Sequence, residues 1–126
     1  MPNPFDRGLS EALAYDAWYE TARGMAVFEG EASALARLFR DATRPWIELG
    51  TGTGRFSAAF AVDVGVDPAP SMLGLAADRL PAVVRGVAEA LPFRSSSVGG
   101  VLSVTTIEFL ASPGDAMREV ARVLTD

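Results

Sequence analysis

Residues 45–56 read PWIELGTGTGRF, and the fold is decided here. Trp46-Ile47-Glu48-Leu49 has the character of a short buried strand, and Gly50, Gly52 and Gly54 follow it on alternate positions. Glycines at this spacing let the backbone adopt conformations closed to other residues and come close to another group. A strand that ends in such a loop and passes into a helix, here 56–61, is the repeating unit of a parallel α/β sheet. The unit recurs downstream. Residues 62–66 form a second strand closed by Asp67, and Pro70 suits the first turn of a helix carrying Met72, Leu73, Ala76 and Leu80. Residues 82–87 and 101–105 are the third and fourth strands. Ser112-Pro113-Gly114-Asp115 is a helix start, a cap with an acid three residues on, and the last helix is expected to bury Met117, Val120, Ala121 and Leu124.

Upstream of the strands, Ser10 opens a helix to about Thr21 with Leu13, Ala17 and Trp18 on one face. A second helix fits 30–42, with Ala32, Leu35, Leu38, Phe39 and Ala42 at helical spacing. The expected architecture is α/β, a doubly wound and mainly parallel sheet. Residues 1–126 make one domain, in which 1–44 are a helical segment and 45–126 the sheet with its helices.

Composition narrows the function. The chain has 126 residues, 49% hydrophobic and 21% charged, as in globular domains. Its 11 basic and 16 acidic side chains give a net charge of −5, so no basic footprint for nucleic acid exists. No run approaches a membrane span, and the opening MPNPFDRGLSEAL is no signal peptide, so a cytoplasmic protein is expected. With no cysteine, disulfides, thiolate zinc sites and cysteine nucleophiles are excluded. There is no histidine either, which removes the commonest general base and metal ligand near neutral pH. Proton chemistry must fall to carboxylates, tyrosines or the substrate, and no metal is expected.

Ligands of open parallel sheets sit beyond the carboxyl ends of the strands, where the glycine loop lies. A phosphate-binding loop would end in Gly-Lys-Ser or Gly-Lys-Thr, whereas Arg55-Phe56 follow Gly54. The dinucleotide fingerprint is G-x-G-x-x-G; here it is G-x-G-x-G. Glu48, two residues before the first glycine, opposes a pyrophosphate and favours a ligand with a positive centre. Asp67 closes the second strand, where a doubly wound nucleotide site places the acceptor for ribose hydroxyls. An ordinary tight turn for the loop, and a helix cap for Asp67, are the simpler alternatives. Taken together, the loop and its two acids suggest an adenosine ligand that lacks phosphate and carries a cationic group, which describes S-adenosylmethionine.

At this point the chain resembles the class I S-adenosylmethionine-dependent methyltransferases, in particular their small-molecule branch. The matching segments are IELGTGTGRF, GVDPAPSML, VVRGVAEALPF, VLSVTTIEFL and DAMREVARVL, in the family's order over roughly 45–124. YDAWYETARG is similar to that branch's opening segment, whose aromatic residues close over the cofactor. The resemblance implies a Rossmann-like sheet of about four strands in the order 3-2-1-4. It also implies residue roles. Gly50, Gly52 and Gly54, with Thr51 among them, would lie against the methionine part, and Glu48 would reach its ammonium directly or through water. Asp67 would take the ribose hydroxyls. Ala88 would offer its backbone to adenine, with Met72 or Pro68 packing nearby. Thr105 and Thr106 would line the floor beside the sulfonium. Tyr15 and Tyr19 are lid candidates, with an aromatic face packed on the core as the alternative. Many relatives carry an aspartate where this chain has Val87, leaving Glu89, backbone or water to accept from the adenine amino group.

Methyl transfer from a sulfonium mainly needs proximity and alignment, so the absence of histidine is no obstacle. If a base is required, Glu108 is the first choice, and a solvated loop carboxylate is its alternative. The family usually continues beyond a segment like ValLeuThrAsp into a fifth strand and a terminal antiparallel pair, so the chain reads as a core without its C-terminal strands. The expected activity is methyl transfer to a small-molecule acceptor, or the cofactor-binding part of such an enzyme. Competing readings are a non-catalytic S-adenosylmethionine or S-adenosylhomocysteine module completed by a partner, and a nicotinamide-dinucleotide domain. An exposed fourth strand would also make a homodimer available.

Overall fold

A computed structural model describes Phe5 and residues 7–126. Four parallel strands form one sheet: β1 (Trp46–Leu49), β2 (Val64–Asp67), β3 (Ala82–Arg85) and β4 (Gly100–Ser103), in the order β3-β2-β1-β4. This is the order that the resemblance implies. Register is set by Ile47 opposite Val64 and Val101, with Asp67 opposite Arg85 at the carboxyl end of the β2–β3 pair.

The central strands are apolar on both faces because both faces are covered. On one side Ile47, Leu49, Val64 and Val101 pack against Ala116, Val120 and Val123 of helix α5 (Pro113–Val123). On the other, Leu102 and Val62 meet Phe56 of α3 (Arg55–Ala59) and Phe28, Ala32, Leu35 and Phe39 of α2 (Ala22–Phe39). Side chains alternate along a strand, so Glu48 points to this second side, between two residues that point to the first.

Helix α1 (Leu9–Trp18) and α4 (Pro70–Ala76) pack together through Ala12, Ala69 and Met72. Pro70 stands in the first turn of α4, as its fixed φ favours.

Several sequence expectations are corrected. The second helix begins at Ala22, not Gly30, because Thr21 caps it: its hydroxyl accepts from Gly24 N–H at 3.0 Å. Gly24 is demanded by close packing, since a Cβ there would collide with the Trp18 carbonyl. The first helix runs from Leu9 to Trp18, with Gly8 rather than Ser10 at its N-cap, and it buries Ala12 while Leu13 and Trp18 stay exposed. Helix α5 is turned by one residue. It buries Ala116 and Val123, with Val120 partly buried against the core as expected, while Met117 is 46% exposed. Two apolar series one residue apart run along this helix, and periodicity alone does not choose between them. Leu38 faces solvent and Leu80 lies beyond the end of α4.

Just before β4, the backbone of Val98 pairs with Leu124 and its carbonyl accepts from Thr125 N–H at 2.9 Å. Among the described residues, no strand pairs with the outer side of β4 itself.

Candidate functional site

The carboxyl ends of β1, β2 and β4 converge on the glycine loop. Gly50, Gly52 and Gly54 all have positive φ, at 67°, 56° and 86°, the region where a side chain is strained. Thr51 N–H bonds to the Val66 carbonyl and Gly54 N–H to the Thr51 carbonyl, both at 2.9 Å, which folds the loop over the end of β2. The three glycines differ in what a side chain would meet. A Cβ on Gly50 would strike the Thr106 side chain, and one on Gly54 would press on Ala76 at 3.2 Å. A Cβ on Gly52 would meet no protein atom within 4 Å.

Two carboxylates flank the loop. Glu48 is 2% exposed. Its carboxylate accepts from Thr51 Oγ1 at 3.1 Å and from Ser57 Oγ, and the two hydroxyls lie 2.8 Å apart. Burial pushes the Glu48 carboxyl up to about 7, opposed by the Ser57 and Thr51 hydrogen bonds. Asp67 is 7% exposed. Its carboxylate accepts from Gly52 N–H and Ala69 N–H, each at 2.9 Å, so it holds the loop and the start of α4 together.

Two concavities open near this end of the sheet, and Asp67 lines neither. One is lined by the loop together with Glu48, Tyr15, Tyr19, Arg55, Val104 and Thr105. The other is lined by Pro68, Arg85, Gly86, Val87, Ala90 and Pro92. Gly52, bonded to Asp67, belongs to the first; Pro68, next to it in the chain, belongs to the second. Tyr15 and Tyr19 share a hydrogen bond between hydroxyls 3.3 Å apart, with rings edge to face. Desolvation, then that bond, pushes the Tyr15 phenol above its ordinary range, so it stays neutral. Thr105 has φ 50°, unusual for a β-branched residue, and Thr106 Oγ1 lies within donating distance of both the Val104 carbonyl at 3.1 Å and the Leu49 carbonyl at 3.3 Å. The fourth strand is thereby turned across the end of the first.

This architecture has relatives. Residues 47–126 match the methyltransferase domain family. The chain belongs to the class I S-adenosylmethionine-dependent methyltransferases. An S-adenosylmethionine-dependent methyltransferase of Thermotoga maritima superposes with a TM-score of 0.85 at 33% identity, covering 97% of this chain and 56% of that one. An uncharacterized protein of Mycobacterium tuberculosis is 39% identical over 92% of this chain and 41% of its own length. One of Methanocaldococcus jannaschii is 32% identical over 97% of this chain and 56% of its own. The chain thus spans about half the length of the relatives it matches.

The methyltransferase frame locates the expected residues. Glu48, Gly50, Thr51, Gly52, Thr105, Tyr15 and Tyr19 line the first concavity, and Pro68 the second. Gly54 caps α3 and packs on Ala76. Met72 is buried against Ala12 and Ala69, while Ala88 is buried with Ile47 and Leu91. Glu89 accepts from Ser112 N–H at 3.3 Å. Glu108 is exposed on the short 3-10 turn Ile107–Phe109 and does not line either concavity.

Absent from the sequence expectation are Ser57, Thr53, Arg55 and Asp16. Ser57 is legible only once α3 is known to bring it back over Glu48. The Asp16–Arg55 contact joins segments 39 residues apart, which no local pattern reports.

The donor set fits S-adenosylmethionine. Its positive centres match a cleft holding the Glu48 carboxyl, and its approach to the backbone matches the open side of Gly52.

Proposed function

We propose that the chain binds S-adenosylmethionine across the carboxyl ends of β1 and β2 and presents it to a small-molecule acceptor for methyl transfer. The observation that carries this reading is the loop at Gly52, whose N–H is fixed by Asp67 while its Cβ direction is clear of protein. When bound, the cofactor supplies an electrophilic methyl group on a sulfonium. The chain's own residues then have to bind, orient and exclude water. Asp67 holds the ribose side and Glu48 faces the ammonium. Tyr15 and Tyr19 cover the methionine side and Pro68 bounds the adenine side, where Ala88 and Glu89 follow the wall residues Gly86 and Val87 in the chain. Glu108, exposed and outside both concavities, would serve as a base only for an acceptor that reaches out to the turn after β4.

Calorimetric titration with S-adenosylhomocysteine and with NAD tests the reading. Binding of the first and not the second supports it, and the reverse overturns it. Methyl release with candidate acceptors then separates an enzyme from a non-catalytic binding module. Asp67→Ala is expected to weaken S-adenosylhomocysteine binding by about tenfold or more, the usual effect of losing a charge-assisted hydrogen bond of ~1.5–3 kcal/mol. Unchanged affinity in a folded variant would remove Asp67 from the site.

The outer side of β4 leads to a separate expectation. Gly100–Ser103 contains no proline or lysine, and such an edge is a template for pairing. The isolated chain is expected to form a two-fold dimer by antiparallel pairing of fourth strands. Sedimentation at micromolar concentration checks this, with Ser103→Pro returning the monomer. A monomeric parent would mean that the edge does not pair in solution.

A further inference from the structure

Asp16 is the hub of a charge cluster that ties α1 to the glycine loop. Its carboxylate accepts from Thr53 Oγ1 at 2.6 Å and from Arg55 Nε and Nη2 at 2.8 and 3.0 Å. It also accepts from Arg79 Nη1 and Nη2 at 2.7 and 2.9 Å. Arg55 donates further to Glu20 at 2.6 Å, and Arg79 to the Thr53 carbonyl at 2.8 Å. Two guanidiniums and two carboxylates leave the cluster neutral. The Asp16 and Arg55 side chains are only 14% and 20% exposed, so solvent does little to screen them. The Arg79 hydrogen bonds first, then those of Arg55, hold the Asp16 carboxyl well below the usual range and keep it ionised.

Arg55 is the charged member of the cluster that lines the cleft, beside Thr53, Tyr19 and Glu48. Its guanidinium carbon lies 5.5 Å from the centre of the Tyr19 ring. An unneutralised guanidinium there would repel a cation in the cleft. The two ligands of a methyl-transfer cycle differ in this respect: S-adenosylmethionine has a positive sulfonium where S-adenosylhomocysteine has a neutral thioether. We propose that Asp16 is a specificity-determining positioning residue, which neutralises Arg55 at the cleft wall and so sets the preference between the methylated cofactor and its demethylated product. This rests on the cleft being the S-adenosylmethionine site.

The test is the ratio of the two affinities, measured by calorimetry on the parent, Asp16→Asn, Asp16→Glu and Arg55→Gln. Loosening of α1 would weaken both ligands by the same factor and leave the ratio alone. Loss of the Asp16 charge should instead weaken S-adenosylmethionine about five- to twentyfold more than S-adenosylhomocysteine, as for a unit charge roughly 10 Å away at effective dielectric constants of about 20–35. Asp16→Glu should hold the ratio within about twofold of the parent, because the charge is kept. Arg55→Gln should move the ratio the opposite way, toward S-adenosylmethionine, and it decides the matter if Asp16→Asn does not fold. An unchanged ratio in the folded variants overturns the role of Asp16 while leaving the site in place. A parent that binds neither ligand overturns the site itself, and the inference with it.

Discussion

A Gly52→Val variant is expected to fold and to lose at least about a hundredfold in S-adenosylhomocysteine affinity, near 2.7 kcal/mol. The reason is the difference between this glycine and its neighbours. Side chains on Gly50 or Gly54 would meet Thr106 or Ala76, so changes there confound folding with binding. At Gly52 the protein itself leaves room, and the added isopropyl group would stand in the ligand's place. A valine at φ 56° is strained, which should lower stability by ~1–3 kcal/mol without unfolding the domain. Calorimetry alongside a thermal melt separates the two effects, and Gly52→Ala should fall between parent and valine. A folded valine variant that binds as tightly as the parent would make the loop a tight turn and no more.

The second large effect is a fall in stability between pH 5 and pH 8. Glu48 takes up its proton more readily in the folded chain, at about 7, than when unfolded, where 4.5 applies. The folded state therefore binds more protons between these values, and stability declines as pH rises through 7. The difference corresponds to about 3 kcal/mol, fully present below about pH 4.5 and lost above about pH 7. No histidine obscures the window. The carboxylates shifted downward, Asp16, Asp115 and Glu119, work in the opposite direction and at lower pH. Urea unfolding at pH 5 and pH 8 should show the decline in the parent and a flat profile in Glu48→Gln. An equal slope in both would mean that Glu48 is ionised throughout.

Much of this was legible in the residues. The four strands and the loop carry short-range signals: apolar runs of four or five residues, glycines on alternate positions, an acid closing a strand. Parallel strands buried on both faces read as such because burial leaves little choice of residue. Helix faces were harder to read. In α1 and α5 two apolar series lie one residue apart, and tertiary packing chooses Ala12 and Ala116 over Leu13 and Met117. The start of α2 was not read, since Gly24 in its first turn is required by close packing on the Trp18 carbonyl and carries no helix signal of its own. Of the site, the residues on strand ends and in the loop were readable, since sequence neighbours remain spatial neighbours there. The Asp16 cluster was not, because its members come from α1, the glycine loop, α3 and the segment after α4.

The lock between β1 and β4 has a consequence for how this chain can change over generations. Thr106 fills the space that a side chain on Gly50 would need, and its hydroxyl reaches the Leu49 carbonyl. Position 50 cannot drift alone. A side chain at 50 gains room only after 106 has lost both its hydroxyl and its methyl, and even then the left-handed φ of 67° at 50 leaves it strained. Where both sites change, position 106 should therefore move first.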